Sequence, residues 1–141
     1  MYGCFYNCSS LTAAPAIPDS VTDMGNCFYG CSSLTAAPAI PDSVTNMSSC
    51  FRGCSSLTTG PSTIPSGVTN MSYCFKDCSS LTGEIVINAE ITDSSNWRQT
   101  FLGVTSSVTV KVKSDAVKNS ITDSATTGDY TYTLYPIVTL Q

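Results

Sequence analysis

Apolar residues recur along this chain in a fixed phrase. Met24, Cys27, Phe28 and Cys31 are followed by Leu34, Ile40 and Val44, and the same order starts again at Met1, Met47 and Met71. The four opening methionines stand 23, 23 and 24 residues apart. A period in this range predicts an array, in which one copy cannot bury its own apolar face and its neighbours cover it. The copies span 1–23, 24–46, 47–70 and 71–92.

Each copy divides into three parts. Met24, Cys27, Phe28 and Cys31 lie at i, i+3, i+4 and i+7, which predicts a helix with one apolar face. Asp23, Asn46 and Asn70 precede their methionines at the place of an N-cap. Such a helix has only about two turns and needs packing to hold it. The second part carries a Leu and an Ile anchor: Leu11 and Ile17, Leu34 and Ile40, Leu57 and Ile64, Leu81 and Ile87. Alternation is clearest from Leu81 to Ile87, which predicts a strand. Pro15 and Pro38 interrupt the first two copies, where only short extended pieces are expected, because proline brings no ladder donor. The third part, Pro41 to Thr45 in the second copy, reads as a turn that sends Val44 back to the core.

The phrase then decays. Residues 93–141 form a degenerate fifth copy and a C-terminal cap, with Phe101 in the place of Phe75 and Val104 in the place of Cys78. Val108, Val110 and Val112 alternate as a strand, Ser114 to Thr122 reads as a short helix with Ser114 at its N-cap, and a turn at Gly128 precedes a strand from Tyr130. A polar outer face is what a terminal copy must provide, and Lys111, Lys113, Asp115 and Lys118 supply it. The first copy has no such cap ahead of Met1 and nothing that reads as a secretory signal. The expectation is that the sequence is a piece of a longer protein.

Composition narrows the function classes. Serine and threonine account for 41 of 141 residues, whereas 11% are charged and the net charge is −4. There is no basic stripe of the kind that nucleic acid or anionic lipid requires, and no apolar run long enough to span a bilayer. The absence of histidine removes the commonest general base and metal ligand. No catalytic, cofactor-binding or metal-ligating set is expected. Ser32 and Ser33 lack a base and an orienting group. Asp19 and Asp42 recur, but Gly67 and Ala89 break that row, so they read as turn residues, not calcium ligands. Trp97 reads as a packing residue.

Eight cysteines come in i, i+4 pairs, one pair per copy. Three readings stay open: small buried residues holding free, shielded thiols, disulfides between neighbouring copies, or a thiolate metal site, although no spacing matches a zinc ribbon or finger. What remains is surface. If Leu34 and Ile40 face inward, Thr35, Ala37 and Ala39 line a flat, hydroxyl-rich sheet face, with Thr12, Ala14 and Ala16 beside them. The position after each core phenylalanine varies as Tyr6, Tyr29, Arg52 and Lys76. Variation along an array is where partner specificity can be written; the alternative is a row of solvated side chains with no partner.

Phe-x-x-Cys-Ser-Ser-Leu-Thr followed by Ile-Pro-x-Ser-Val-Thr, from Met1 to about Thr92, resembles the BspA-type leucine-rich repeat of bacterial surface proteins. The first cysteine of each pair and the Ala-Ala-Pro-Ala tract depart from that pattern. The resemblance implies an α/β repeat: a short leucine-rich-repeat solenoid with a β-strand plus short helix per 23–24-residue repeat and a C-terminal β/α cap. It implies a non-enzymatic protein-binding or adhesion module, at the cell surface or secreted, whose partner is a protein such as a host surface or matrix protein. The alternative is a structural spacer or phage-particle component without a ligand of its own.

Overall fold

The structure is a computed structural model that describes residues 1–105, 108–126 and 137–141. Its regular elements follow the decline of proline along the chain. The first two copies hold no strand. The third holds only β1, Thr63–Ile64, which begins after Pro61. The fourth has no proline between Leu81 and Ile87 and forms the five-residue β2, Gly83–Ile87. β3, Val108–Val112, follows with a strictly alternating burial pattern, and β4 is Ile137–Leu140. The four strands form one parallel sheet in the order β1-β2-β3-β4, with Ile85 opposite Val110 and Ile87 opposite Val112. Isolated parallel bridges, Ala36 to Thr59 and Thr59 to Thr82, carry the same pairing back into the proline-containing copies. The predicted turn at Gly128 and the start of the last strand at Tyr130 lie outside the described residues.

The expected helix in each copy is not there. Met24 to Cys31 is a run of turns. Cys27, Tyr29 and Cys31 donate their N–H groups three residues back, to Met24, Asn26 and Phe28. Met24 instead donates to Asn46, the last residue of its own copy, and Asn26, Phe28 and Gly30 donate to the next copy, at Ser48, Cys50 and Arg52. The backbone is left-handed at two positions in every copy: at Gly3, Asn26, Ser49, Tyr73 and Gln99, and at Asn7, Gly30, Gly53, Asp77 and Gly103, with φ between 51° and 82°. A left-handed residue every fourth position forbids a continuous right-handed helix and points alternate amides at the neighbour. The caps survive in a different role: Asp23, Asn46 and Asn70 accept from the N–H two residues on, at 2.8, 3.0 and 2.9 Å, closing Asx turns.

Stacking is direct. Phe5, Phe28, Phe51, Phe75 and Phe101 lie in one file, with ring centroids 5.2, 5.5, 5.7 and 5.8 Å apart and planes within 11°. Around them Met24, Met47, Met71, Leu34, Leu57 and Leu81 are fully buried. Trp97 takes the methionine place of the next turn, is fully buried, and donates from Nε1 to the Ile91 carbonyl at 2.9 Å. Val104 is buried in the place of the second cysteine. The loop before Trp97 holds a 3-10 helix, Ser94–Trp97, capped by Asp93. α1, Asp115–Thr126, starts where Ser114 Oγ accepts from the Val117 N–H and runs past the predicted end. Val117, Ile121 and Ala125, one turn apart, face the core. Among the described residues no helix is long and apolar enough to cross a membrane.

Candidate protein-binding face

The residue after each core phenylalanine is fixed at the surface by its own turn. In the second copy, Phe28 points inward and the Tyr29 N–H closes on Asn26, so Tyr29 faces out. Because every copy repeats this geometry, Tyr6, Tyr29, Arg52 and Lys76 fall into one file. The Tyr6 and Tyr29 rings stack at 4.7 Å. The Arg52 guanidinium lies 5.3 Å from the Tyr29 ring centre and 5.6 Å from that of Tyr73. Lys76 Nζ stands 5.8 Å from the Tyr73 ring and donates to Gln99 Oε1 at 2.6 Å. Arg98 reaches the same ring at 5.9 Å. Tyr2 extends the face: its hydroxyl accepts from Asn26 Nδ2 at 2.9 Å, and it is 67% exposed.

Sequence reasoning therefore found four members of this file and missed Tyr73, Arg98 and Tyr2. The missed residues stand one or two places after Met1, Met71 and Trp97, and three or four places before the residue that follows each core phenylalanine, a spacing that a helix would also have put on one face. The left-handed turns bring both positions to one face. That spacing was the available signal for them; the signal for the turns was the glycine, asparagine or aspartate just before each second cysteine, since these residue types tolerate a left-handed backbone.

The threonine and alanine row divides. Thr12 and Thr35 are exposed as expected, and the hydroxyls form a ladder in which Thr35 donates to the Thr12 carbonyl at 3.3 Å, Thr58 to Thr35 at 3.0 Å and Thr82 to Thr58 at 3.0 Å. Ala14 and Ala37 do not line the open face; both are half-buried against the core. Proline is the reason. Without a ladder at Pro15 and Pro38, strict strand alternation is lost, and Ala14 and Ala37 settle inward. The tract is also not flat: Ala14 to Ile17 and Pro38 to Pro41 border an open groove of about 320 Å³.

The cysteines form two files. Cys27, Cys31, Cys50, Cys54, Cys74 and Cys78 are buried thiols, whereas Cys4 and Cys8, also free, are exposed. Cys31, Cys54 and Cys78 donate from Sγ to the carbonyls of Phe5, Phe28 and Phe51 at 3.1, 3.1 and 3.0 Å, in each case one copy back. Burial pushes Cys27 up from 9.0 to about 11 and Cys54 to about 12. It also raises Cys31, Cys50, Cys74 and Cys78, with neighbouring thiols adding to the effect. These six are packing residues, three of them with a weak bond donated to a carbonyl, not nucleophiles. Of the readings open from the sequence, free and shielded thiols describe these six, whereas Cys4 and Cys8 are free and exposed. Among the described residues no three groups of metal-ligating type converge.

The fold and this face define a repeat protein in which successive copies add their turn residues to one outer file. The chain belongs to the BspA type leucine-rich repeat family: the model of that repeat region matches residues 2–125. No curated relative and no solved structure matches the chain.

Proposed function

We propose that this chain is a non-enzymatic protein-binding module of a surface or secreted bacterial leucine-rich-repeat protein. It is built as a short solenoid of copies 1–23, 24–46, 47–70 and 71–92, with residues 93–141 as a degenerate fifth copy and a cap made of β3, α1 and β4. The reading rests on the outward file of Tyr6, Tyr29, Arg52, Tyr73 and Lys76. Tyrosine and arginine are the residues most enriched at binding hot spots, and a stack fixes them side by side before any partner arrives, which lowers the ordering cost of association. Family membership supports the same reading, since leucine-rich repeats generally mediate protein contacts, are generally non-enzymatic, and in this class are typically surface-associated or secreted.

A spacer or particle component without a ligand is the second reading, favoured by the hydroxyl ladders of Thr35, Thr58 and Thr82, which close the backbone edge without offering a contact. Surface plasmon resonance of the chain against purified extracellular-matrix and host surface proteins separates the two. The binding module retains at least one of them saturably and loses it in the Tyr29→Ala, Arg52→Ala double variant. A spacer gives no saturable signal, and binding that survives the double variant removes this face from the account.

A further inference from the structure

The groove between the first two proline tracts carries chemistry that the tyrosine and arginine file does not use. Ala14 to Ile17, Asp19 and Pro38 to Pro41 border it. Proline holds the residue before it extended, and an extended tract of this kind turns its backbone groups to solvent. Accordingly Ala14, Ala16, Ile17, Ala39 and Ile40 make no backbone hydrogen bond among the described residues. In the third copy the same segment gives its carbonyls to the ladder: that of Ser62 accepts from the Val86 N–H at 3.0 Å and that of Ile64 from the Asn88 N–H at 2.9 Å. Pro15, Pro38 and Pro41 bring carbonyls and no N–H, so acceptors outnumber donors along the groove. Asp19 adds an exposed carboxylate that forms no ion pair or hydrogen bond among the described residues.

We propose that this groove takes an arginine side chain carried by an exposed segment of a protein partner. The proposal rests on the protein-binding reading and gives it a second contact, separate from the tyrosine file. A volume of about 320 Å³ stands at the small end of ligand pockets, roughly 300–1,000 Å³, which is room for one long side chain and not for a folded element. Arginine has five N–H donors and no acceptor, the complement of a site built from free carbonyls and a carboxylate. Its methylene stem packs on the Ala, Pro and Ile wall while the guanidinium turns to Asp19. An apolar side chain would strip water from the free carbonyls without replacing its hydrogen bonds. A carboxylate would meet Asp19 and few donors. Lysine brings the charge, but on a compact, strongly hydrated ammonium without the planar fork. The net charge of −4 favours a basic partner as well.

The test is amide chemical-shift mapping on the isotope-labelled full chain, titrated with a blocked Ala-Arg-Ala peptide and with its citrulline and lysine counterparts. The arginine peptide should shift the amides of Ala16, Ile17, Asp19, Ala39 and Ile40 saturably, and bind more weakly as salt rises. Citrulline keeps N–H donors without the charge, and lysine keeps the charge without the fork; each should bind about fivefold more weakly. Asp19→Asn should weaken arginine binding by about tenfold, with an unchanged thermal melt. Asp42→Asn, in the same Pro-Asp-Ser-Val context one copy on but outside the groove, should leave it within about twofold. Equal binding of either counterpart, undiminished binding by Asp19→Asn, or shifts confined to other surfaces would overturn the assignment. If the groove amides do not move while a matrix protein still binds through Tyr29 and Arg52, this assignment falls and the broader function stands. Loss of both removes the two together.

Discussion

Met1 to Leu11 and Met24 to Leu34 carry nearly the same residues in the same order, and they meet different fates. Met24, Cys27, Phe28, Cys31 and Leu34 have no exposed surface at all, while Met1, Phe5 and Leu11 are half-buried and Cys4 and Cys8 are exposed. Both copies close the same turns, and both donate alternate amides to the copy after them. What differs is the copy before. The carbonyls of Cys27 and Tyr29 receive the N–H groups of Phe5 and Asn7, whereas those of Cys4 and Tyr6 receive none among the described residues. Local sequence thus sets the shape of a copy, and the neighbour on one particular side sets its burial. This is the division between intrinsic and interface terms expected of quasi-one-dimensional proteins.

The contrast can be pressed hardest through the thiols. A buried thiol whose folded pKa is raised is protonated in the native state, so its stabilisation is complete below the unfolded value and is lost as pH climbs. For Cys27 and Cys54 the window opens near 9.0 and closes at about 11 and about 12. Each such thiol can remove up to about 1.4 kcal/mol per pH unit inside it. Denaturant midpoints measured between pH 8 and 11 should fall steeply above 9, and Cys50→Ala should flatten the fall; a level profile would contradict the burial. Alkylation at pH 8 reads the same contrast as a rate. Cys4 and Cys8 should label at once and the other six only on unfolding, since burial closes off the six and raises them all; at Cys27 the rise from 9.0 to about 11 cuts the thiolate population about 100-fold.

Packing comes next. Leu34→Ala should cost about 2–5 kcal/mol in chemical denaturation by opening a cavity, and Leu11→Ala, at the half-covered end, less than about 1.5 kcal/mol. Equal costs would mean that the first copy is covered after all. Backbone effects are smaller. Gly30 is left-handed, and an added Cβ would run into the Asn7 side chain, whereas at Gly3 it meets nothing. Both alanine variants carry the left-handed penalty of about 1–2 kcal/mol, and Gly30→Ala should exceed Gly3→Ala in melting experiments by the displacement of Asn7. The smallest effect belongs to the hydroxyl ladder. Thr58→Val removes one donor to the Thr35 carbonyl, worth about 0.5–1.5 kcal/mol, while Thr12→Val has no donated bond to lose and should be neutral in the same assay.

Much of this was legible in the residues. The phenylalanine queue, the strand at Gly83–Ile87, the alternating Val108–Val112 and the helix opened by Ser114 all follow from period, alternation and capping. The turn segment was not, because i, i+3, i+4, i+7 spacing is produced equally by a helix and by two stacked turns. The discriminating detail is the recurring residue before each second cysteine, Asn7, Gly30, Gly53 and Asp77, and before Val104 in its place, Gly103, which a helix would disfavour and a left-handed backbone selects. Ala14 and Ala37 were misplaced for a related reason: alternation presumes a ladder, and Pro15 and Pro38 had already broken it.

Spacing between the copies carries a last consequence. From each methionine to its leucine the count is invariant at 10, at Met1–Leu11, Met24–Leu34, Met47–Leu57 and Met71–Leu81. All growth in period, from 23 to 24 to the 26 residues separating Met71 from Trp97, falls after the leucine. That segment behaves as slack, and the decade before it as a gauge. A gene for such a chain can gain or lose whole units by slippage, or lengthen its loops a codon at a time, without disturbing alignment; a single codon added inside the gauge would throw every amide that reaches for the adjoining unit out of step.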